Sequence, residues 1–126
     1  MGLDLYLYTQ SKPDSRLGEQ LPRTEVAYFR KFNVLLNWVD MHVKEVKNCE
    51  DIILDKNTLQ TLLQTLEQLT GKSCQREFST TDGFFFGSTQ YDTYYWQDVG
   101  RLKKTLKKLL QETDFERLVV YFHAWW

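Results

Sequence analysis

The chain has 126 residues, a length that fits one domain able to fold without metal or disulfide support. Hydrophobic residues make up 42% and charged residues 26%, which is typical of a globular chain and excludes extensive disorder. Sixteen basic against seventeen acidic side chains leave a formal charge of −1, so no global field draws the protein to nucleic acid or to an anionic membrane. We therefore predict a single globular domain over residues 1–126.

The cysteines and the distribution of apolar residues indicate the cellular setting. Cys49 and Cys74 are too far apart for a CxxC motif, and no segment has the form of a secretory leader. No apolar run approaches the length of a membrane span. We expect a cytoplasmic protein with reduced thiols and no membrane partner.

The N-terminal third is predicted to contain a strand, a loop and a helix. Leu3, Leu5 and Leu7 alternate with polar or aromatic residues, which predicts a strand with one buried face. Residues 9–24, which include two prolines and a glycine, show no sustained period and predict a long mobile loop. Apolar residues then recur every three or four positions over 25–47, which predicts the first amphipathic helix.

The rest of the chain completes a mixed fold. A short strand at 52–54 precedes Asp55, an N-cap for a leucine-rich second helix that ends at Gly71. Thr89 opens a capping-box pattern, so a third helix is predicted from there to about residue 111. Segment 117–126 is β-branched and aromatic, which predicts a strand beside the first. The predicted class is α+β, a small mostly antiparallel sheet with adjacent terminal strands packed against three helices in the order β-α-β-α-(loop or hairpin)-α-β.

Five polar residues fall on the face of the first predicted helix opposite its apolar stripe: Arg30, Asn33, Asn37, Asp40 and Lys44. They are either a solvated face or a recognition strip with an arginine fork and two amides. Asp98 lies on the otherwise apolar side of the third helix, where an unpaired carboxylate is costly. Arg30 is its expected partner, in a structural pair or in one that contacts a ligand.

The GFFFGS sequence places Gly83 and Gly87 around three phenylalanines just before the third helix. One interpretation is a turn with core phenylalanines, in which glycine supplies a positive φ. The other is a phosphate or carboxylate site at Gly87, Ser88 and Thr89, beside free amides of the helix N-terminus.

The terminal strands offer a possible aromatic surface. If helices cover the leucine face of the sheet, Tyr6 and Tyr8 point the other way, where such residues can stack bases or bury a partner's side chains. A helix or the long loop covers them in the alternative arrangement. The last strand adds one of two sets, either Tyr121, His123 and Trp125 or Phe122 and Trp126.

Motifs for catalysis or for metal binding do not occur in the sequence. His42 and His123 lie on different predicted elements, and no nucleophile elbow, HExxH motif or paired His/Cys spacing is present. We therefore predict a non-enzymatic protein with no cofactor and no metal ion.

Several stretches together carry a resemblance to one family: MGLDLYL at the start, YFRK at 28–31, and GFFFGSTQYD at 83–92, which continues into YYWQD. Over nearly its whole length the chain resembles small phage and prophage proteins that open MGLDMYLY and carry GFFFGSTxYDxWYxQD. It departs from them at Phe29, Phe32 and Leu36, where the family pattern has tryptophan, alanine and histidine, and in its last three residues, AWW for SSW. The matching positions are Arg30, Asn33, Asn37, Gly83, Gly87, Ser88, Asp92, Asp98 and Trp126.

The residues and the resemblance together predict a phage accessory protein that binds a host protein or nucleoprotein and inhibits or redirects a host system. An anti-CRISPR or other anti-defence inhibitor is the concrete version, because such proteins act by occupying a surface. One alternative is a binder of a small phosphorylated or nucleotide-like ligand held by Arg30, Asn33 and Asn37. The other is a nucleic-acid-binding module that uses the basic face of the third helix, with its lysines at 103, 104, 107 and 108.

Overall fold

A computed structural model describes residues 2–12, 22–83 and 86–126. Its strands are β1 Asp4–Ser11, β2 Arg23–Arg30, β3 Asp51–Ile53 and β4 Leu118–Trp125, and its helices are α1 Asn33–His42, α2 Lys56–Gln68, α3 Cys74–Glu77 and α4 Thr93–Glu112. Within these ranges the strands form an antiparallel sheet in the order β2-β1-β4-β3. The predicted α+β class is confirmed, and so is the adjacency of the N- and C-terminal strands.

The segment predicted as one helix over 25–47 is a strand followed by a shorter helix, so the first half of that prediction was wrong. β2 pairs with β1 along its length, and the chain then turns at Lys31, whose φ is 57°. That turn lets Phe29 and Phe32 both enter the core, with ring centroids 5.1 Å apart. Phe29 and Phe32 are therefore three positions apart and both buried although they are not on a helix. This explains why the spacing of apolar residues over 25–47 predicted a helix there.

The predicted mobile loop at 9–24 is too long at both ends. Thr9, Gln10 and Ser11 belong to β1, and Arg23 and Thr24 belong to β2. Both strand ends are held by pairing, since Gln10 lies opposite Arg23 in the β1–β2 ladder. Residues 13–21 lie outside the described residues.

One face of the sheet carries the hydrophobic core. Leu5 and Leu7 of β1 and Phe122 and Ala124 of β4 are at most 1% exposed, and they pack with the buried residues of α1, α2 and α4. Side chains alternate between the two faces of a strand. The even-numbered residues of β1 and the odd-numbered residues of β4 are therefore turned away from the helices.

The two longest helices begin at aspartate caps. Asp55 accepts a hydrogen bond from the Thr58 backbone N–H at 2.8 Å, which confirms the predicted start of α2. α4 starts at Thr93, because the carboxylate of Asp92 accepts from the N–H groups of Tyr94 and Tyr95. The prediction of a start at Thr89 was wrong, since the acidic residue of the apparent capping box is itself the cap.

The position of this cap can be tested with two alanine variants. We expect Asp92→Ala to lower the free energy of unfolding by about 1 kcal/mol, because two amides of the first turn lose their acceptor. Thr89→Ala should change it by less than about 0.5 kcal/mol, the usual range for a residue outside the cap. Urea denaturation followed by circular dichroism measures both, and a larger loss for Thr89→Ala would contradict the assignment.

Candidate functional site

The sheet face turned away from the helices is lined with aromatic side chains. Tyr6 lies opposite Tyr28 of β2 and His123 of β4, and Tyr8 lies opposite Tyr121. The rings of Tyr6 and Tyr8 stack with centroids 5.6 Å apart, and Tyr28 lies 5.2 Å from Tyr6. We define the aromatic face as Tyr6, Tyr8, Tyr28, Tyr121, His123 and Trp125.

The second set of C-terminal aromatic residues lies on the helix-covered side. Phe122 is fully buried, and the Trp126 ring meets Phe86 edge-on at 5.4 Å. Trp126, predicted as a candidate for the aromatic surface, therefore does not belong to the aromatic face. The reason is the alternation of β4, which places Trp126 on the same side as Phe122 and Ala124.

No helix within the described ranges covers the aromatic face. The buried residues of α1, α2 and α4 all belong to the core on the opposite side of the sheet. Tyr28 is 38% exposed and Trp125 53%, values that are high for large aromatic side chains. The face is therefore partly shielded from solvent, and the rings of Tyr28 and Trp125 remain accessible.

Arg23 and Asp51 on this surface neutralise each other. The guanidinium of Arg23 donates to both carboxylate oxygens of Asp51, and Nδ1 of His123 lies 2.9 Å from Asp51 Oδ1. The same guanidinium lies 5.0 Å from the ring centre of Tyr121 and 5.7 Å from that of Tyr8. The hydrogen bond from Arg23 lowers the pKa of Asp51, and the bond to His123 adds to that effect.

The phenol groups remain neutral donors at physiological pH. Burial raises the pKa of Tyr6 and of Tyr8, and neighbouring carboxylates raise both further. The hydroxyl of Tyr28 donates to Asp4, which raises the Tyr28 pKa. The face thus presents rings and hydroxyls and carries no uncompensated charge from Arg23 or Asp51.

The predicted polar strip on the first helix does not exist as one surface. Arg30 is on β2, and Lys44 follows the end of α1 and pairs with Glu50. Asp40 accepts from the backbone N–H of Val46 at 2.9 Å, which ties down the chain after the helix. The strip was predicted on a continuous helix, and the turn at 31–32 removes that geometry.

The two asparagines of the strip have structural roles. Asn33 is 1% exposed, and its amide nitrogen donates to the carbonyls of Phe86 and Ser88 at 3.1 and 2.9 Å. Its amide oxygen accepts from the N–H of Thr81 at 3.1 Å. Asn37 donates to the Ser79 carbonyl at 3.1 Å. Both side chains hold the segment between α3 and α4 against α1, so neither amide nitrogen faces a ligand.

Asp98 pairs with a different arginine from the one predicted. Its carboxylate accepts from Arg101 at 3.0 Å, one turn along α4, in place of Arg30. Burial raises the pKa of Asp98, and Arg101 opposes that shift. Arg101 also donates to the Tyr28 carbonyl at 2.7 Å and lies 4.7 Å from the Phe29 ring centre. β2 is an edge strand, whose outward backbone groups could pair with a strand of another chain. Arg101 binds one of these groups, the carbonyl of Tyr28.

The proposed anion site at Gly87, Ser88 and Thr89 is not at a helix N-terminus, because α4 begins later and Asp92 already occupies its amides. Gly87 has φ 86°, and a Cβ there would lie 2.8 Å from Cβ of Lys31. The GFFFGS stretch is a turn at Gly87 that places Phe86 in the core. Phe84 and Phe85 lie outside the described residues.

A cleft at the end of β2 nevertheless brings together several predicted site residues. Its volume is about 270 Å³, and its walls come from the turn after β2, the start of α1, Thr80, residues 88–92 and the first turns of α4. Four residues singled out in the sequence line it: Arg30, Asn33, Ser88 and Asp98. Lys31, Gln90 and Tyr94 complete its polar rim.

Two of the groups that define these surfaces, Arg23 and Asp51, were missed at the sequence level, and so was the contact of Arg101 with Tyr28. Each of these contacts joins residues far apart in the chain, and no local spacing connects them. The only sequence signal was the aromatic and β-branched character of residues 26–29, which is typical of a strand and would have placed Arg23 and Tyr28 beside β1.

Comparisons with protein-family models, with curated proteins and with solved structures found no match. Among the described residues, no helix is both long and apolar enough to cross a membrane. No group of three or more His, Cys, Asp or Glu side chains in the same ranges could hold a metal ion. The function is therefore argued from the aromatic face and from the cleft.

The structural role of Asn33 can be measured against that of Asn37. We expect Asn33→Ala to lower the free energy of unfolding by roughly 2–4 kcal/mol, because three backbone groups lose their partner in a buried site. Asn37→Ala removes one hydrogen bond and should lower the free energy of unfolding by about 1 kcal/mol. Chemical denaturation of the two variants measures the difference, and equal losses would contradict the role of Asn33 as the main clamp.

The Asp51 cluster should make stability depend on pH in the acid range. The folded-state pKa of Asp51 lies below its usual value near 3.8, so its stabilising effect is complete above that value and is lost as pH falls through the lowered pKa. The free energy of unfolding of wild type should exceed that of Asp51→Asn by up to about 1 kcal/mol at pH 7. This difference should disappear in acid, where Asp51 is protonated.

Thermal or urea unfolding at several pH values between neutral and strongly acidic conditions measures this gap. Asp82→Asn is the matched control, because Asp82 is exposed and forms no ion pair within the described part of the chain. A gap between wild type and Asp51→Asn that stays constant down to acid pH would contradict the prediction.

Proposed function

We propose that this chain is a non-enzymatic accessory protein of phage or prophage type that works in the host cytosol by docking a host protein onto the aromatic face. The observation that carries the proposal is a sheet face of six aromatic side chains that no helix covers within the described ranges. Tyrosine, tryptophan and arginine are the side chains that most often anchor protein interfaces. Arg23 stacks among the tyrosines and completes that composition.

The electrostatics of the face favour a protein partner over nucleic acid. Single-stranded nucleic acid needs stacking rings together with cations that follow its phosphates. On this face Arg23 is bound to Asp51, so its charge is already compensated. The lysine-rich surface belongs to α4, in the helical layer on the opposite side of the sheet. The aromatic face and the lysine-rich surface of α4 therefore lie on opposite sides of the sheet.

The Arg23–Asp51 pair of the face can be buried at low cost, because its two charges already compensate each other. An interface that covers an unpaired charge must desolvate it without compensation. Here the carboxylate of Asp51 has two partners and the hydroxyl of Tyr28 has one. A partner can therefore cover the rings without having to supply a counter-charge at these positions.

The resemblance to phage and prophage proteins supports a host target. A small phage protein that occupies a surface of a host machine inhibits or redirects it without chemistry, as an anti-CRISPR or another anti-defence protein would. The preformed sheet face supports this mode of action, because pre-organised surfaces lose little conformational entropy on binding.

Matched variants test whether the face is the docking surface. Tyr28→Ala and Trp125→Ala each remove an exposed ring from the face, and Tyr94→Ala removes a still more exposed ring from α4. A host protein captured from bacterial lysate by wild type and by Tyr94→Ala should be lost with the two face variants. In titrations with the purified partner we expect binding at least about tenfold weaker, the usual effect of truncating an anchor residue.

Other outcomes would contradict the proposal. Equal capture by all four proteins would place the contact elsewhere on the molecule. Capture abolished by nuclease would indicate nucleic acid as the partner. Light scattering that showed a dimer dissociated by Tyr28→Ala would indicate that a second copy of the chain occupies the face.

A further inference from the structure

Two cationic side chains converge beside the cleft at the end of β2. A Cβ built on Gly2 would lie 3.5 Å from Nη2 of Arg30 and 3.7 Å from Cε of Lys31, so both side chains end near one point of the backbone. Neither side chain forms an ion pair with any described residue. Like charges held close together repel each other, and an anion placed between them removes that repulsion.

The carboxylates around this pair already have hydrogen-bond partners. Asp4, opposite Arg30 in the β1–β2 ladder, accepts from the hydroxyl of Tyr28. Asp92 accepts from two amides at the start of α4, and Asp98 accepts from Arg101. Both line the same cleft as Arg30 and Lys31. The cleft therefore contains two acids with partners and two cations without one, and an incoming anion would meet the cations.

The backbone holds Lys31 in an unfavourable conformation. Its φ of 57° is in the left-handed region, where a non-glycine residue costs on the order of 1 kcal/mol or more. The Lys31 N–H donates to the Leu3 carbonyl at 2.7 Å, and its side chain lies against Gly87, which has no Cβ to displace it. Glycine would adopt this turn without strain. A lysine here places a fixed cation at the mouth of the cleft.

The rest of the rim suits the organic part of a small ligand. Tyr94 is 75% exposed and offers a ring, and Ser88 and Gln90 add polar groups. The floor is rigid, because Asn33 ties the 80–92 segment to α1 and the Tyr95 hydroxyl donates to the Phe78 carbonyl at 2.7 Å. A volume of about 270 Å³ accommodates a small molecule only.

We propose that this cleft binds a small organic oxyanion, a phosphate monoester or a carboxylate, held by Arg30 and Lys31 with its organic group beside Tyr94. The site differs from the small-ligand site predicted from the sequence, because Lys31 replaces the two asparagines and the helix terminus. None of the six residues of the aromatic face lines the cleft, so ligand binding in the cleft and protein docking on the face can be tested separately.

Nuclear magnetic resonance titration of the ¹⁵N-labelled protein at low salt tests the site. Phenyl phosphate and benzoate are the two anionic probes, and phenol is the neutral probe of the same ring. At least one anion should give saturable shifts at the amides of Lys31, Ser88 and Gln90. Arg30→Gln and Lys31→Gly should each weaken binding about tenfold, the effect of losing one charge-assisted hydrogen bond.

The choice of variants keeps the test independent of folding. Lys31→Gly removes the cation and relieves the left-handed strain, so its thermal stability should equal or exceed that of wild type. Lys107→Gln removes an exposed lysine of α4 and should leave the affinity unchanged. Trp125→Ala, which impairs the aromatic face, should also bind the probes as wild type does.

The outcomes separate the possible ligands. Binding of phenyl phosphate alone indicates a phosphate monoester, and comparable binding of benzoate indicates a carboxylate. Equal binding of phenol would overturn the proposal, because the anion would then contribute nothing. It would also be overturned by the absence of saturable shifts, or by a loss of affinity in Lys107→Gln as large as in Arg30→Gln.

Discussion

The antiparallel pairing of β1 with β4 determines both sides of this protein. It sets Leu7 opposite Phe122 on the helix-covered face and Tyr8 opposite Tyr121 on the other. A shift of one residue would turn every leucine of β1 to solvent and every tyrosine towards the helices. The hydrophobic core and the aromatic face therefore depend on the same ladder of backbone hydrogen bonds, and neither could form without the other.

The turn at Lys31 is the second constraint, because it ends β2 and starts α1 within two residues. It directs Phe29 and Phe32 into one core and leaves Arg30 at the edge of the cleft. Asn33 follows at once and ties the segment before α4 to the same point. A short stretch of chain thus joins the sheet, the first helix and the loop that forms the cleft.

Local patterns in the sequence predicted what local forces determine. The alternating leucines of the first strand, the Asp55 cap and the leucine period of α2 all depend on neighbours within a few residues. Two failures were local, because the Asp92 cap and the Asp98–Arg101 pair each lie within three residues along the chain. Other contacts that were missed depend on distant partners. Arg101 reaches the backbone of Tyr28, 73 positions away, and Asp51 meets His123 through the pairing of β3 with β4. Spacing along the chain cannot encode such pairs, because the register of the sheet creates them.

The two candidate surfaces differ in how their charges are balanced. On the aromatic face, Arg23, Asp51 and His123 are joined by hydrogen bonds, so desolvating this cluster leaves none of its charges isolated. In the cleft, Arg30 and Lys31 lie close together without a carboxylate partner among the described residues, and the nearby acids are engaged elsewhere. The first arrangement suits a large partner that excludes water, and the second suits a small anion. The distribution of charge therefore supports the two proposals, one for each surface.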